Sequence, residues 1–409
     1  MKNKFILLAA LTLSCFSLPA FADNSCPLRR EIGQLIIAEY SGEMASFKDY
    51  VKEANLGGVI LLGYHTSSFQ SPNDVIHFTN EIQKDMPTGL FVAVDQEGGL
   101  VQRLGQKAGF TWAPAAKYVG EAYEKDKTLP RKLGKMMGEE LAAVGVNLNL
   151  APMADLAIDP ASNVVAGLKR GFSDDAKVTG AVAGEMIEGL QSTGVMATVK
   201  HFPGHGRAKG DSHAGVVTLD LPVEELVKHE LVPFVEAMNR GVAALMTAHI
   251  DMQGCDGPVS LNKEVLTGLI REGLGYQGIL MTDDLSMGAI TSRYGMEEAA
   301  IQAVLAGNDT LIVRGGSDKQ MIERFCQESE KDDAQGRELS RRIHESFLRI
   351  QRIKKEYGID HAAQLPDVEL ISTEEHKEVV KAILENSPSG IGAKDKYLPP
   401  DMSQGLKDL

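Results

Sequence analysis

The sequence predicts an α/β fold closed into one (β/α)8 barrel of the TIM type, followed by C-terminal helices and a tail. Two observations carry this. Eight short apolar segments recur along the chain, separated by amphipathic helical stretches at the spacing of β/α units. The segments are apolar almost without interruption, as strands buried on both faces of a parallel sheet must be. An open doubly wound sheet is the alternative, but no Gly-x-Gly-x-x-Gly opens a helix after an early strand, so a nucleotide-binding form lacks its main support.

The first strand is expected at Gly33–Ser41 (GQLIIAEYS), with a helix from Glu43 to Ala54 behind it. Leu56–Gly63 (LGGVILLG) is the second and Leu90–Glu97 (LFVAVDQE) the third, after a helix around Asp74–Lys84. Gly145–Pro152 follows a helix at Arg131–Ala143, and Gly194–Val199 (GVMATV) follows one at Asp175–Thr193. Val242–Ile250, Gly278–Asp284 and Asn308–Val313 complete the eight, with helices at Val223–Asn239, Lys263–Glu272 and Met296–Ala306. Past Asp332, the spacing of Leu339, Ile343, Phe347, Ile350 and Ile353 marks an amphipathic helix, and Glu374–Glu385 another. The polar end, with Pro399-Pro400, reads as a loose tail. The expected division is a signal peptide over 1–22, a catalytic barrel over 23–360 and a C-terminal helix and tail over 361–409.

Lys2 and Lys4 precede an apolar run, and Ala20-Phe21-Ala22 has small residues where a signal peptidase reads, so an export signal cleaved after Ala22 is expected. Lipid anchoring through Cys15 is the alternative. The destination would be the periplasm or the medium. Cleavage removes two lysines and no acid, taking the formal charge from −14 to −16. So acidic a chain repels phosphate backbones, which argues against nucleic acid as a partner. No other stretch is apolar for the roughly 18 residues that a membrane span needs. A monomer is expected. Cys26, Cys255 and Cys326 remain, either as one disulfide and a free thiol or as three small buried hydrophobes.

The chemistry gathers where strands end, which in a barrel is one face. Lys200–His213 (KHFPGHGRAKGDSH) is too polar for core and too glycine-rich for helix. Asp95-Gln96-Glu97-Gly98-Gly99 ends the third strand, Asp155 trails the fourth, His249 ends the sixth and Asp283-Asp284 the seventh. Tyr64-His65 and Arg314 follow two others. A carboxylate delivered by a strand, as at Asp283, can be a nucleophile, a ligand or only a helix cap. Asp211 two residues before His213 can fix and charge an imidazole that carries protons. Lys200, His201, Arg103 and Arg170 are possible ligand-binding groups, each weak alone. The histidines with Asp211 also allow a zinc-hydrolase reading, against which Lys200 argues by charge. A non-catalytic sugar binder has no need of titratable groups on so many strands.

Together the stretches LGGVILLG, VDQEGGLVQR, NLNLAPMADL, KRGFSD, KHFPGHGRAKGDSH, MTAHI and ILMTDDLSMGAI resemble the short, single-barrel bacterial β-N-acetylglucosaminidases of glycoside hydrolase family 3. The resemblance runs from about Ile32 to Gly315. It implies Asp283 as nucleophile, His213 as general acid/base with Asp211 as its partner, and Asp95, Arg103, Arg170, Lys200 and His201 as binders of N-acetylglucosamine. It implies no cofactor and no metal. Leu100 stands where family members commonly have arginine, and the surroundings of Arg170 are also slightly unusual; both bear on substrate preference rather than on the reaction.

The expected function is therefore exo-acting, retaining hydrolysis of terminal β-linked N-acetylglucosamine on peptidoglycan fragments or chitooligosaccharides. Retaining glycosidases ordinarily use two carboxyl groups. A histidine in place of one does not repel an anion as a carboxylate does, so phosphorolysis at the same site is the second expectation.

Overall fold

Eight parallel strands pair in chain order and close on themselves in this computed structural model. They are β1 (Ile36–Glu39), β2 (Gly58–Leu61), β3 (Phe91–Val94), β4 (Leu148–Asn149), β5 (Met196–Phe202), β6 (Ala244–Thr247), β7 (Ile279–Asp284) and β8 (Thr310–Val313). β1 pairs with both β2 and β8, which shuts the barrel. The structure describes residues 26–160, 162, 164–208, 210–212, 214–314, 316–359 and 367–390. The expected signal segment lies outside them, as does the end of the chain from 391.

The strands are buried nearly throughout, which explains their unbroken apolar runs. Three boundaries differ from expectation for identifiable reasons. Residues 29–34 form a short helix, so β1 starts only at Ile36. The ladder of β4 is two residues long because asparagine side chains take over part of the pairing: Asn147 Oδ1 accepts from the Val92 amide at 2.8 Å and Asn149 Oδ1 from the Gln96 amide at 3.0 Å. The segment 223–239 is two helices, Val223–Lys228 and Val232–Asn239, the second opening with Pro233 in its first turn, where a missing N–H costs nothing. The longer helices that were not foreseen include Ala116–Tyr123 and Asp318–Ser329.

Cys26 and Cys326 form a disulfide that spans 300 positions of sequence, and Cys255 is free. The expected late helices are Ala334–Glu356 and Glu374–Asn386. The latter is pinned by His376, whose Nδ1 lies 3.0 Å from Glu140 and whose Nε2 lies 3.2 Å from Glu139.

Under the barrel, Lys354 is fully buried and donates to Gln34 Oε1 at 3.0 Å and to the Gly57 carbonyl at 2.8 Å, over the Phe91 ring. Its described partners include no carboxylate. Desolvation alone pulls its pKa from 10.5 down to about 7. Between those values the unfolded chain holds a proton that the folded chain has released, so stability rises with pH across that window, by about 1.4 kcal/mol per unit. Lys354→Met abolishes this dependence. Urea unfolding at pH 6.5 and pH 9 should therefore show the variant gaining on the parent at the lower pH; a difference independent of pH would contradict it.

Candidate active site

The C-terminal ends of the strands surround a cavity of about 190 Å³. That is below the roughly 300–1,000 Å³ of sites for drug-sized ligands, and suits one small polar ring. Ile60, Leu150, Met246 and Ile312 form apolar parts of its wall.

One side is a chain of alternating charges. Past β3 the backbone stays extended, so Asp95 and Glu97, two apart, face the same way. Gly98 and Gly99, both at positive φ, then turn it back as a tight hairpin, and a Cβ on Gly98 would sit 2.5 Å from the Pro114 carbonyl. The returning arm brings Arg103 to within 3.3 Å of Asp95. Lys200, buried on β5, donates to Asp95 at 2.7 Å and lies 2.8 Å from Glu97. Arg170 grips Glu97 with two parallel bonds of 2.8 Å. The order is Arg103, Asp95, Lys200, Glu97, Arg170, each acid held between two cations. Burial pushes both carboxyls up, but Lys200 with Arg103 overcomes this at Asp95, and Arg170 with Lys200 at Glu97; both end below their ordinary values. Burial pulls Lys200 down, and the two carboxylates more than restore it.

Next to Lys200 stands His201. Asp155, with no exposed surface, lies 2.7 Å from its Nδ1 and accepts the backbone amides of His201 and His205 at 3.2 and 2.7 Å. One carboxylate thus orients the ring and the start of the following loop, leaving Nε2 as the ring nitrogen for a ligand.

Asp283 is on the same cavity, near the end of β7. Burial raises its pKa, but His201, His249, the Asp284 amide and Lys200 outweigh burial and keep the carboxyl below its ordinary value, hence ionised. Behind it, His249 Nε2 lies 3.1 Å from the Asp284 carbonyl and Nδ1 lies 2.7 Å from Ser260 Oγ. A carbonyl only accepts, so Nε2 carries a hydrogen, while Nδ1 meets a hydroxyl that can either donate or accept; burial draws the pKa of the ring below its ordinary value. Its role is to fix the backbone that carries Asp283. Asp284 turns to Arg314, at 3.1 Å, and to Ser286.

The loop after β5 folds back toward this point. Ser212, 5 % exposed, accepts at its carbonyl from the Ala289 amide at 3.1 Å, in the segment following β7. Asp211 is half-buried, and its carbonyl closes a turn with the amides of Ala214 and Gly215. His213 lies outside the described residues. Asp95, Arg103, Arg170, Lys200, His201 and Asp283 all meet on the cavity, while Asp211 is on the adjoining loop. Among the described residues no three histidine, cysteine, aspartate or glutamate side chains converge as a metal site requires. Sequence reasoning assigned no role to Glu97; its two-residue offset from Asp95 was the signal available.

The glycosyl hydrolase family 3 N-terminal domain matches residues 27–353. A β-hexosaminidase of Thioalkalivibrio sulfidiphilus is 36% identical over 266 residues, which is 63% of this chain and 73% of that one. The β-hexosaminidase LpqI of Mycobacterium tuberculosis is 33% identical over 273 residues, 63% of this chain and 69% of its own. Among solved structures, a family 3 β-N-acetylglucosaminidase from a Paenibacillus species superposes with a TM-score of 0.79 at 33% identity, over 88% of this chain and 68% of that chain. The barrel, the charged mouth and the span of these matches agree: the chain belongs to glycoside hydrolase family 3 and is a glycoside hydrolase.

Proposed function

We propose that the chain is an exported, retaining exo-β-N-acetylglucosaminidase that removes terminal β-linked N-acetylglucosamine from peptidoglycan fragments or chitooligosaccharides. The observation that carries the reading is the ionised Asp283 in a one-ring cavity, with the Asp211–Ser212 segment tied to the chain just after it. The hexosaminidase relatives support the sugar. The pattern at residues 1–22 supports export.

In this mechanism Asp283 attacks the anomeric carbon while His213 protonates the departing glycosidic oxygen, and the C–O bond to the leaving group breaks as the ester to Asp283 forms. The same histidine, now neutral, takes a proton from water, whose oxygen displaces Asp283 with a second inversion. Asp211 supports the imidazolium. Asp95, Arg103, Arg170, Lys200 and His201 hold the ring hydroxyls, and the cavity's limited volume restricts binding to a chain end.

Proton NMR of a cleaved β-glycoside, with and without phosphate, tests the reaction. The β-anomer of free N-acetylglucosamine should appear first under both conditions. An initial α-anomer would overturn retention, and sugar 1-phosphate in its place would make the protein a phosphorylase.

A further inference from the structure

Beneath the loop after β5 lies a carboxylate that the reaction does not use. Glu230 lies two residues ahead of the helix Val232–Asn239, with its side chain wholly buried. Among the described residues neither carboxylate oxygen accepts a hydrogen bond, so it serves as no helix cap there. Its ion-pair partner among the described residues is Arg207, at 3.1 Å, in the loop above. The loop rests directly on it: Gly204 is at φ +123°, and a Cβ there would be 3.2 Å from the Cβ of Glu230. A buried carboxylate is unfavourable unless paired, and this one gains its partner only when the loop is seated. Burial pushes the Glu230 carboxyl up and Arg207 is the chief influence opposing that.

Two other ties hold the same loop. At its start the His205 amide bonds Asp155, and farther on Ser212 bonds Ala289. Arg207 falls between them, half-exposed, five residues ahead of Ser212.

We propose that Glu230 is a positioning residue: by pairing with Arg207 it seats the loop that carries Asp211 against the body of the barrel. This rests on the reading of His213 as the acid/base. It makes Arg207 the residue through which Glu230 acts, and neither touches substrate.

The test compares Arg207→Ala, Glu230→Gln and Arg207→Lys with the parent, using amide exchange over residues 204–212 and kcat/KM on aryl β-N-acetylglucosaminides of graded leaving-group acidity. His213→Ala is run alongside. Arg207→Ala and Glu230→Gln should accelerate exchange in the loop by about tenfold, and slow poor leaving groups by about tenfold while leaving the most activated within about threefold, because proton donation matters least there. Arg207→Lys, which keeps the charge, should recover most of both. Unchanged exchange in Arg207→Ala, which removes only a half-exposed side chain, overturns the proposal. So does equal slowing of all substrates where His213→Ala gives graded slowing. If His213→Ala itself slows all substrates equally, the acid/base reading fails, and exchange alone decides whether Glu230 seats the loop.

Discussion

Asp283→Ala is expected to lower kcat/KM on an aryl β-N-acetylglucosaminide by about 10⁴-fold or more, while the protein folds as before. No other carboxylate on the cavity is free to substitute. Asp95 and Glu97 are each held between two cations, and Asp284 is turned to Arg314 and Ser286. The folded state should survive with a modest loss at most: the groups around Asp283 favour its charge by more than burial disfavours it, while the hydrogen bond it accepts among the described residues comes only from the amide of the next residue, at 2.8 Å. Loss of that favourable charge, offset in part by relief of desolvation, makes an unchanged or slightly lowered unfolding midpoint the expected companion of inactivity. Retention of more than a tenth of the parent activity would contradict the assignment.

Glu97→Gln should damage both stability and turnover. The substitution keeps the volume but removes the charge that Arg170 and Lys200 share, in a place where Glu97 is 7 % exposed and Lys200 2 %. Breaking a buried ion pair from one side costs about 3–5 kcal/mol, since the remaining charge is left without compensation. Denaturant unfolding should show a loss of that order. Lys200 would then lean on Asp95 alone, and Arg170 would be released from its two-point grip, so kcat/KM should fall by about 10²-fold through misplaced binding groups. A loss below about 1 kcal/mol with unchanged kinetics would mean that the alternating chain is not a unit.

The two cases show where the sequence is legible and where it is not. Strands such as Phe91–Val94 and Thr310–Val313 are buried on both faces, so burial writes itself directly as an apolar run. β4 is legible only in part, because Asn147 and Asn149 supply with side chains what a ladder would supply with backbone, and composition alone does not reveal that exchange. The helix Asp318–Ser329 hides its core contacts, Met321, Ile322, Phe325 and Cys326, among polar residues. In the site, a charged residue at a strand end is visible in the sequence, and six of the expected residues do meet on one cavity. Which charge pairs with which is set by the barrel's closure. Lys200 reaches Asp95 across 105 positions, and Arg170 reaches Glu97 across 73. No local pattern encodes those choices, and for the same reason neither Glu97 as a shared anchor nor Glu230 under the loop could be read in advance.

The most direct measurement is covalent trapping. A fluorinated N-acetylglucosaminyl donor that forms its glycosyl-enzyme faster than water can clear it should inactivate the protein, and peptide mass spectrometry should find one sugar on the peptide containing Asp283, at that carboxyl. A sugar on Asp284, Asp95 or Asp211 instead, or steady turnover of the donor with no covalent adduct, would contradict the account.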